Sequence, residues 1–178
     1  MYHNFLKFLL SGLVIIIVIV SCVNDHGIAP KPFVIETTGF GGTVRFLGTW
    51  PDSIQRMHIV VFEEPLLEPS DFNIFNLKYV SLEIPFGTQI FNYTSIDSSF
   101  VPGDSTFAPG EYAYVAVAQQ TTEILSLFRR DWFVAGVYYA LGDTSQPGTM
   151  VIQEGKYTSN INITCDFDNP PPQPPGGN

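Results

Sequence analysis

Between residues 43 and 167 the apolar periodicity is mostly two, and the residues that carry it are β-branched and aromatic. A two-residue period divides an extended chain into two faces, and such residues suit a pleated, half-buried surface. Segments 43–47, 56–63, 77–84, 89–95, 134–140, 149–153 and 159–167 read as strands in this way. Segment 111–119 is apolar on both faces, which predicts a central strand. Pro102-Gly103, Pro109-Gly110, Gly142-Asp143 and Gln153-Glu154-Gly155 punctuate the series, and Pro85-Phe86-Gly87-Thr88 is expected to fold 77–84 back onto 89–95. Only 121–130, with Ile124, Leu125 and Phe128 at helical spacing, reads as a helix. At 45% hydrophobic and 14% aromatic the chain can fill a core, and its 178 residues suit one domain. The pattern predicts an all-β fold, an antiparallel β-sandwich of about seven or eight strands.

The first 22 residues carry an address. Lys7 precedes an apolar run from Phe8 to Val20, broken only by Ser11 and Gly12. That is the length of a secretory leader, whereas a spanning helix needs about 20 apolar residues. The run ends in Ile19-Val20-Ser21-Cys22, which resembles the lipobox of bacterial lipoproteins. The resemblance implies cleavage after Ser21, a diacylglycerol or palmitate anchor on Cys22, and a place in the cell envelope. The outer membrane is the expected site, on its periplasmic or its surface face. Two other readings of the run stand beside it: an uncleaved anchor extended by Val23, and ordinary secretion without an Ala-x-Ala site.

The expected organisation is a lipoprotein signal peptide at 1–21, a lipidated tether at 22–39, a β-sandwich at 40–168 and a Pro/Gly-rich disordered tail at 169–178. The tail, Pro-Pro-Pro-Gln-Pro-Pro from Pro170 to Pro175, reads as polyproline that does not pack. With Cys22 acylated, Cys165 is the remaining thiol. It shares a strand face with Ile161, Ile163 and Phe167 and is expected to be buried and inert.

Phe107-Ala108-Pro109-Gly110-Glu111-Tyr112 resembles the Pro-Gly-x-Tyr turn of transthyretin-like (prealbumin-like) sandwiches, among them carboxypeptidase-regulatory-like and collagen-adhesin B-type domains. Pro would fix φ, Gly supply a positive φ, and Tyr drop its ring into the core. Met150 to Tyr157 followed by Ser159 to Thr164 is similar to that family's final hairpin, and Gly42 to Phe46 to its first strand. The resemblance implies a binding, scaffolding or spacer module. The isopeptide bond of the collagen-adhesin branch needs a first-strand Lys. Arg45 stands there instead, although Asn160 and Asn162 are present near the end.

The formal charge of −9, from 8 Lys and Arg against 17 Asp and Glu, speaks against a nucleic-acid partner. No cofactor or catalytic motif is legible, and His58 shares a face with Val60 and Phe62. Glu63-Glu64 is the one adjacent acidic pair, read as a solvated strand end. Asp166, Asp168 and Asn169, with Asp97 and Asp104, offer hard oxygens, but solvent-facing alternation accounts for them without calcium. Trp132, Tyr138 and Tyr139 are the candidates for binding a protein or glycan partner; the two tyrosines must face opposite ways. The expected function is that of a non-catalytic envelope module. A small hydrolase working through paired carboxylates, and a carrier of an apolar ligand held between the sheets, are the rivals.

Overall fold

The structure is a computed structural model and describes residues 37–96, 107–140 and 142–177. The leader, Cys22, most of the tether, Pro102-Gly103, Asp97 and Asp104 lie outside the described residues.

The fold is an all-β sandwich. Its first sheet is centred on β1 (Gly39–Leu47), which pairs antiparallel with β4 (Ile90–Thr94) and parallel with β9 (Tyr157–Thr158) and β10 (Ile163–Asp166). Its second sheet has the order β3 (Leu77–Val80), β2 (Arg56–Phe62), β6 (Tyr114–Gln120), β7 (Trp132–Val137), antiparallel throughout. A small ribbon of β5 (Gly110–Tyr112) and β8 (Met150–Ile152) extends the first core.

Alternation sets which side chains meet. Phe40, Val44 and Phe46 from β1 face Met57, Ile59 and Val61 from β2 and Val115 and Val117 from β6 between the sheets. Phe40 forms edge-on contacts with Tyr79 at 5.0 Å and Tyr93 at 6.1 Å, ring packing that adds to the area buried. The outer face of β1 is solvated, with Arg45 and Leu47 exposed. The second sheet differs. Its outer side chains, Val60, Phe62, Tyr114, Ala116, Trp132, Val134 and Val137, form a second core under Leu66 and Phe72. Burial on both faces is why β6 is apolar along its whole length.

Five expectations change. The chain does not fold 77–84 onto 89–95: β3 joins β2 and β4 joins β1, so Pro85 to Thr88 crosses between sheets. Beyond Val80 the chain still follows β2, with Ser81 N–H donating to Ile59 O at 2.9 Å and Ile84 N–H to Met57 O at 2.8 Å. The expected final hairpin is also absent, because β8 pairs with β5 while β10 lies parallel to β1. Segment 159–167 is interrupted between β9 and β10, where Asn160 adopts φ 65° and the Asn162 Oδ1 accepts from Thr43 N–H at 2.9 Å.

Residues 121–128 form no helix. Gln120, fully buried, and Trp132 instead seize the backbone of Ser126: Trp132 Nε1 donates to Ser126 O at 2.7 Å and Gln120 Nε2 to the same oxygen at 3.3 Å. Those contacts draw the loop against the sheet, and leave Ile124 81% and Phe128 65% exposed. A single 3-10 turn at Arg129–Asp131 follows.

The tail packs. Gln173 Oε1 accepts from Val134 N–H at 2.8 Å, and Gln173 Nε2 donates to Val134 O at 2.9 Å. One side-chain amide thus satisfies both groups that the edge strand β7 presents there. Arg129 Nη2 donates to Pro174 O at 2.7 Å, and Pro174 is buried. Proline cannot join a ladder, but its carbonyl accepts freely, and that allows this sequence to cover a sheet without being a strand.

Candidate functional site

The covering of the second sheet is incomplete. It leaves a cavity of about 580 Å³, a size that suits a small-molecule ligand. Ala113 and Tyr114 at the start of β6, and Val137 and Tyr139 at the end of β7, form its floor. Pro65, Leu66 and Leu67 make one wall, residues 144–147 and Thr149 another, and Pro172 to Pro175 the cover. Among the described residues, no Asp, Glu, Lys, Arg or His lines it.

Two groups near this cavity are unusual for a protein interior. Tyr114 is 6% exposed, and its hydroxyl makes no hydrogen bond to the described residues. Burial holds its pKa above the usual tyrosine range. Arg129 is buried, with Nη1 on Trp132 O and Nη2 on Pro174 O, and its guanidinium 5.8 Å from the Phe72 ring. Among the described residues no carboxylate lies in ion-pair reach of it, and its Nε has no partner. Desolvation draws its pKa down, because an unpaired charge is costly in an apolar setting.

The three aromatic candidates part company. Trp132 is 6% exposed and belongs to the second core, so it is not an exposed ring for a partner. Its nitrogen is already engaged by Ser126. Tyr138 is half-buried against the core between the sheets, and its N–H donates to Val115 O at 2.8 Å. Tyr139 packs on the outer face and lines the cavity. The tyrosines do face opposite ways, and a bulge decides which is which. The β6–β7 register shifts between Val117 and Ala118, pairing Ala118 with Val134 but Val117 with Gly136. That inserted residue moves Val137 and Tyr139 onto the face of Trp132 and Val134. Tyr114, Leu66 and the tail prolines were missed in the sequence, because each reads alone as core, loop or spacer.

A second recess of about 430 Å³ lies beside Arg45, Phe46, Trp50, Thr88 and Ile90. Trp50 packs on Phe46, Phe86 and Phe167 there, with ring centroids 4.7, 5.2 and 5.2 Å away. Its Nε1 donates to Thr88 O at 3.2 Å, which leaves no unmet group on the ring.

The remaining sequence candidates are placed as follows. Cys165 is fully buried, and desolvation raises its pKa well above the ordinary thiol range. Gly136 allows that packing, since a β-carbon there would stand 2.7 Å from Cys165 Sγ and from Thr164 O. Tyr112 does drop into the core, and its hydroxyl donates to Ala108 O at 2.7 Å; burial, with Glu63 nearby, pushes its pKa up to about 12. Gly110 differs from expectation, being extended at the start of β5 without a positive φ. Glu63 forms an ion pair with Lys78 at 2.8 Å. Asp166 Oδ1 accepts from Asp168 N–H at 3.1 Å, and among the described residues no group of three metal-ligating side chains comes together. His58 is buried with Nδ1 at 2.9 Å from Ser81 O, and its Nε2 has no partner.

Comparison with protein-family models, curated proteins and solved structures finds no match to this chain.

Proposed function

We propose that the chain is a bacterial envelope lipoprotein, held by an acyl group on Cys22, whose transthyretin-like sandwich serves as a binding module rather than a catalyst. The observation that carries the binding reading is the cavity under the tail, with Tyr139 on its floor and no charged side chain among the described residues that line it. A filled spacer would close its outer face. This one closes it with loops and a proline-rich strap and leaves an uncharged chamber. The leader ending in Ile19-Val20-Ser21-Cys22 supports the anchor, and the buried Tyr112 after Pro109-Gly110 supports the family resemblance. An apolar ligand would sit outside the second sheet, not between the two.

Protease shaving of intact cells, with lysed cells as control and the Cys22 peptide followed by mass spectrometry, tests the reading. The expected result is an N-terminal, acylated Cys22, and loss of the modification in Cys22→Ala. An unmodified Cys22 still joined to Ser21 would end it. Cleavage in intact cells places the domain on the surface; protection until lysis places it in the periplasm.

A further inference from the structure

We propose that the cavity beneath the tail binds an apolar molecule ending in a carboxylate, of the fatty-acid class, with the Tyr114 hydroxyl donating to the carboxylate. The inference deepens the binding-module reading and rests on it, but not on the Cys22 anchor.

Leu66, Val137 and the proline rings offer an apolar body with no charge along it. A charged or strongly polar group placed along that body would lose its hydration there without return. The polar requirement is local. Buried tyrosines in this protein find an acceptor: Tyr93 donates to Ile161 O at 2.6 Å and Tyr112 to Ala108 O at 2.7 Å. Tyr114 makes no such bond to the described residues; its ring is buried, its hydroxyl keeps solvent access, and the residue lines the cavity. A hydroxyl with solvent access and no protein acceptor is free to donate to a ligand oxygen placed beside it.

Charge selects the kind of acceptor. Arg129 stands behind the cover, bonded to the carbonyl of cavity-lining Pro174, with a full positive charge and no carboxylate within ion-pair reach among the described residues. Its field reaches Tyr114. In a setting of low dielectric such a charge favours an anion over a neutral oxygen at the same place. The tail thus supplies the cover of the site and places its cation.

The test is photo-crosslinking of the full chain in phosphatidylcholine nanodiscs with a diazirine-bearing palmitate, the labelled residues being mapped by mass spectrometry. Labelling is expected on 65–67, 137–139 or 172–175, competed by oleate at least tenfold better than by methyl oleate. Tyr114→Phe keeps the ring and is expected to lower labelling about tenfold, the loss of one charge-assisted hydrogen bond. Thr149→Trp, a change at an exposed position on the rim, is expected to abolish it with no change in melting temperature. Equal competition by acid and ester, wild-type labelling of Tyr114→Phe, or label confined to the exposed 124–128 loop would each overturn the inference. Cys22→Ala separates the two readings: lost acylation with cavity labelling intact speaks to the anchor alone, and an acylated wild-type chain without cavity labelling speaks to this site alone.

Discussion

The two sheets of this sandwich use the same residue types and solve different problems. The first is solvated on its outer face, so β1 alternates buried Val44 and Phe46 with exposed Arg45 and Leu47. The second is buried on both faces, and β2 and β6 are apolar almost throughout. Its inner face packs strand on strand. Its outer face is covered by segments outside the strands, namely the loop holding Leu66 and Phe72, the loop around Ser126 and the proline-rich tail. Sheet-on-sheet packing fills its space, while irregular cover leaves room, and the larger cavity lies on the outer side.

The seam between the sheets should therefore be the least tolerant place in the molecule. At Gly136 a β-carbon would meet Cys165 Sγ and Thr164 O at 2.7 Å and Ile163 Cγ2 at 2.9 Å, and the backbone oxygen cannot swing aside. Gly136→Val is expected to cost about 3 kcal/mol or more, or to prevent folding, in a urea unfolding experiment. A loss below about 1 kcal/mol would show that β7 and β10 are not held as closely as the structure has them.

The outer cover should yield more cheaply. Gln173→Ala removes two hydrogen bonds to Val134 and is expected to cost about 1–2 kcal/mol by the same measurement. It should also free the strap, so that limited proteolysis cuts within 169–177 many times faster while the sandwich stays intact. If cleavage is unchanged, Arg129 and Pro174 hold the strap without Gln173, and the amide only caps the strand edge.

This contrast also divides what the residues reveal from what they conceal. The first sheet is legible, because solvent on one side imposes alternation on 43–47 and gives 163 and 165 the same inward face. The central position of β6 is legible for the opposite reason. Pairing is not, because periodicity names faces and not neighbours; Pro85 to Thr88 has the chemistry of a hairpin turn yet carries the chain to the other sheet. The site is concealed further. Tyr139 rather than Tyr138 reaches the cavity only because of the one-residue bulge opposite Val117 and Ala118, and no local residue type announces that slip. The tail misleads because Pro-Pro-Pro-Gln-Pro-Pro looks like a spacer, and its single Gln and the Pro174 carbonyl tie it down.

The gentlest probe of the comparison is a proton. His58 lies on the outer face of the second sheet, where ordinary alternation would put a polar residue in water, but Trp132 stands 6.3 Å from it and buries it. Because a carbonyl only accepts, Nδ1 donates to Ser81 O and Nε2 is left bare and without a partner. Protonation would place a second N–H, and a charge, where nothing receives them. Desolvation therefore lowers the His58 pKa, against the opposing pull of the Ser81 carbonyl and of Glu83, with Arg56 adding to the depression. The folded-state pKa is below the unfolded value of about 6.5, so above that pH the group adds no pH dependence. As pH falls below it, the unfolded chain takes up a proton that the folded chain refuses, and stability declines until the folded pKa is reached. His58→Gln, which keeps a donor for Ser81, should remove that part of the decline and leave the carboxylate-driven loss at lower pH unchanged. If unfolding curves of the two proteins run parallel from pH 7 to pH 5, water reaches Nε2, and the outer cover of the second sheet is as open at this end as it is over the cavity.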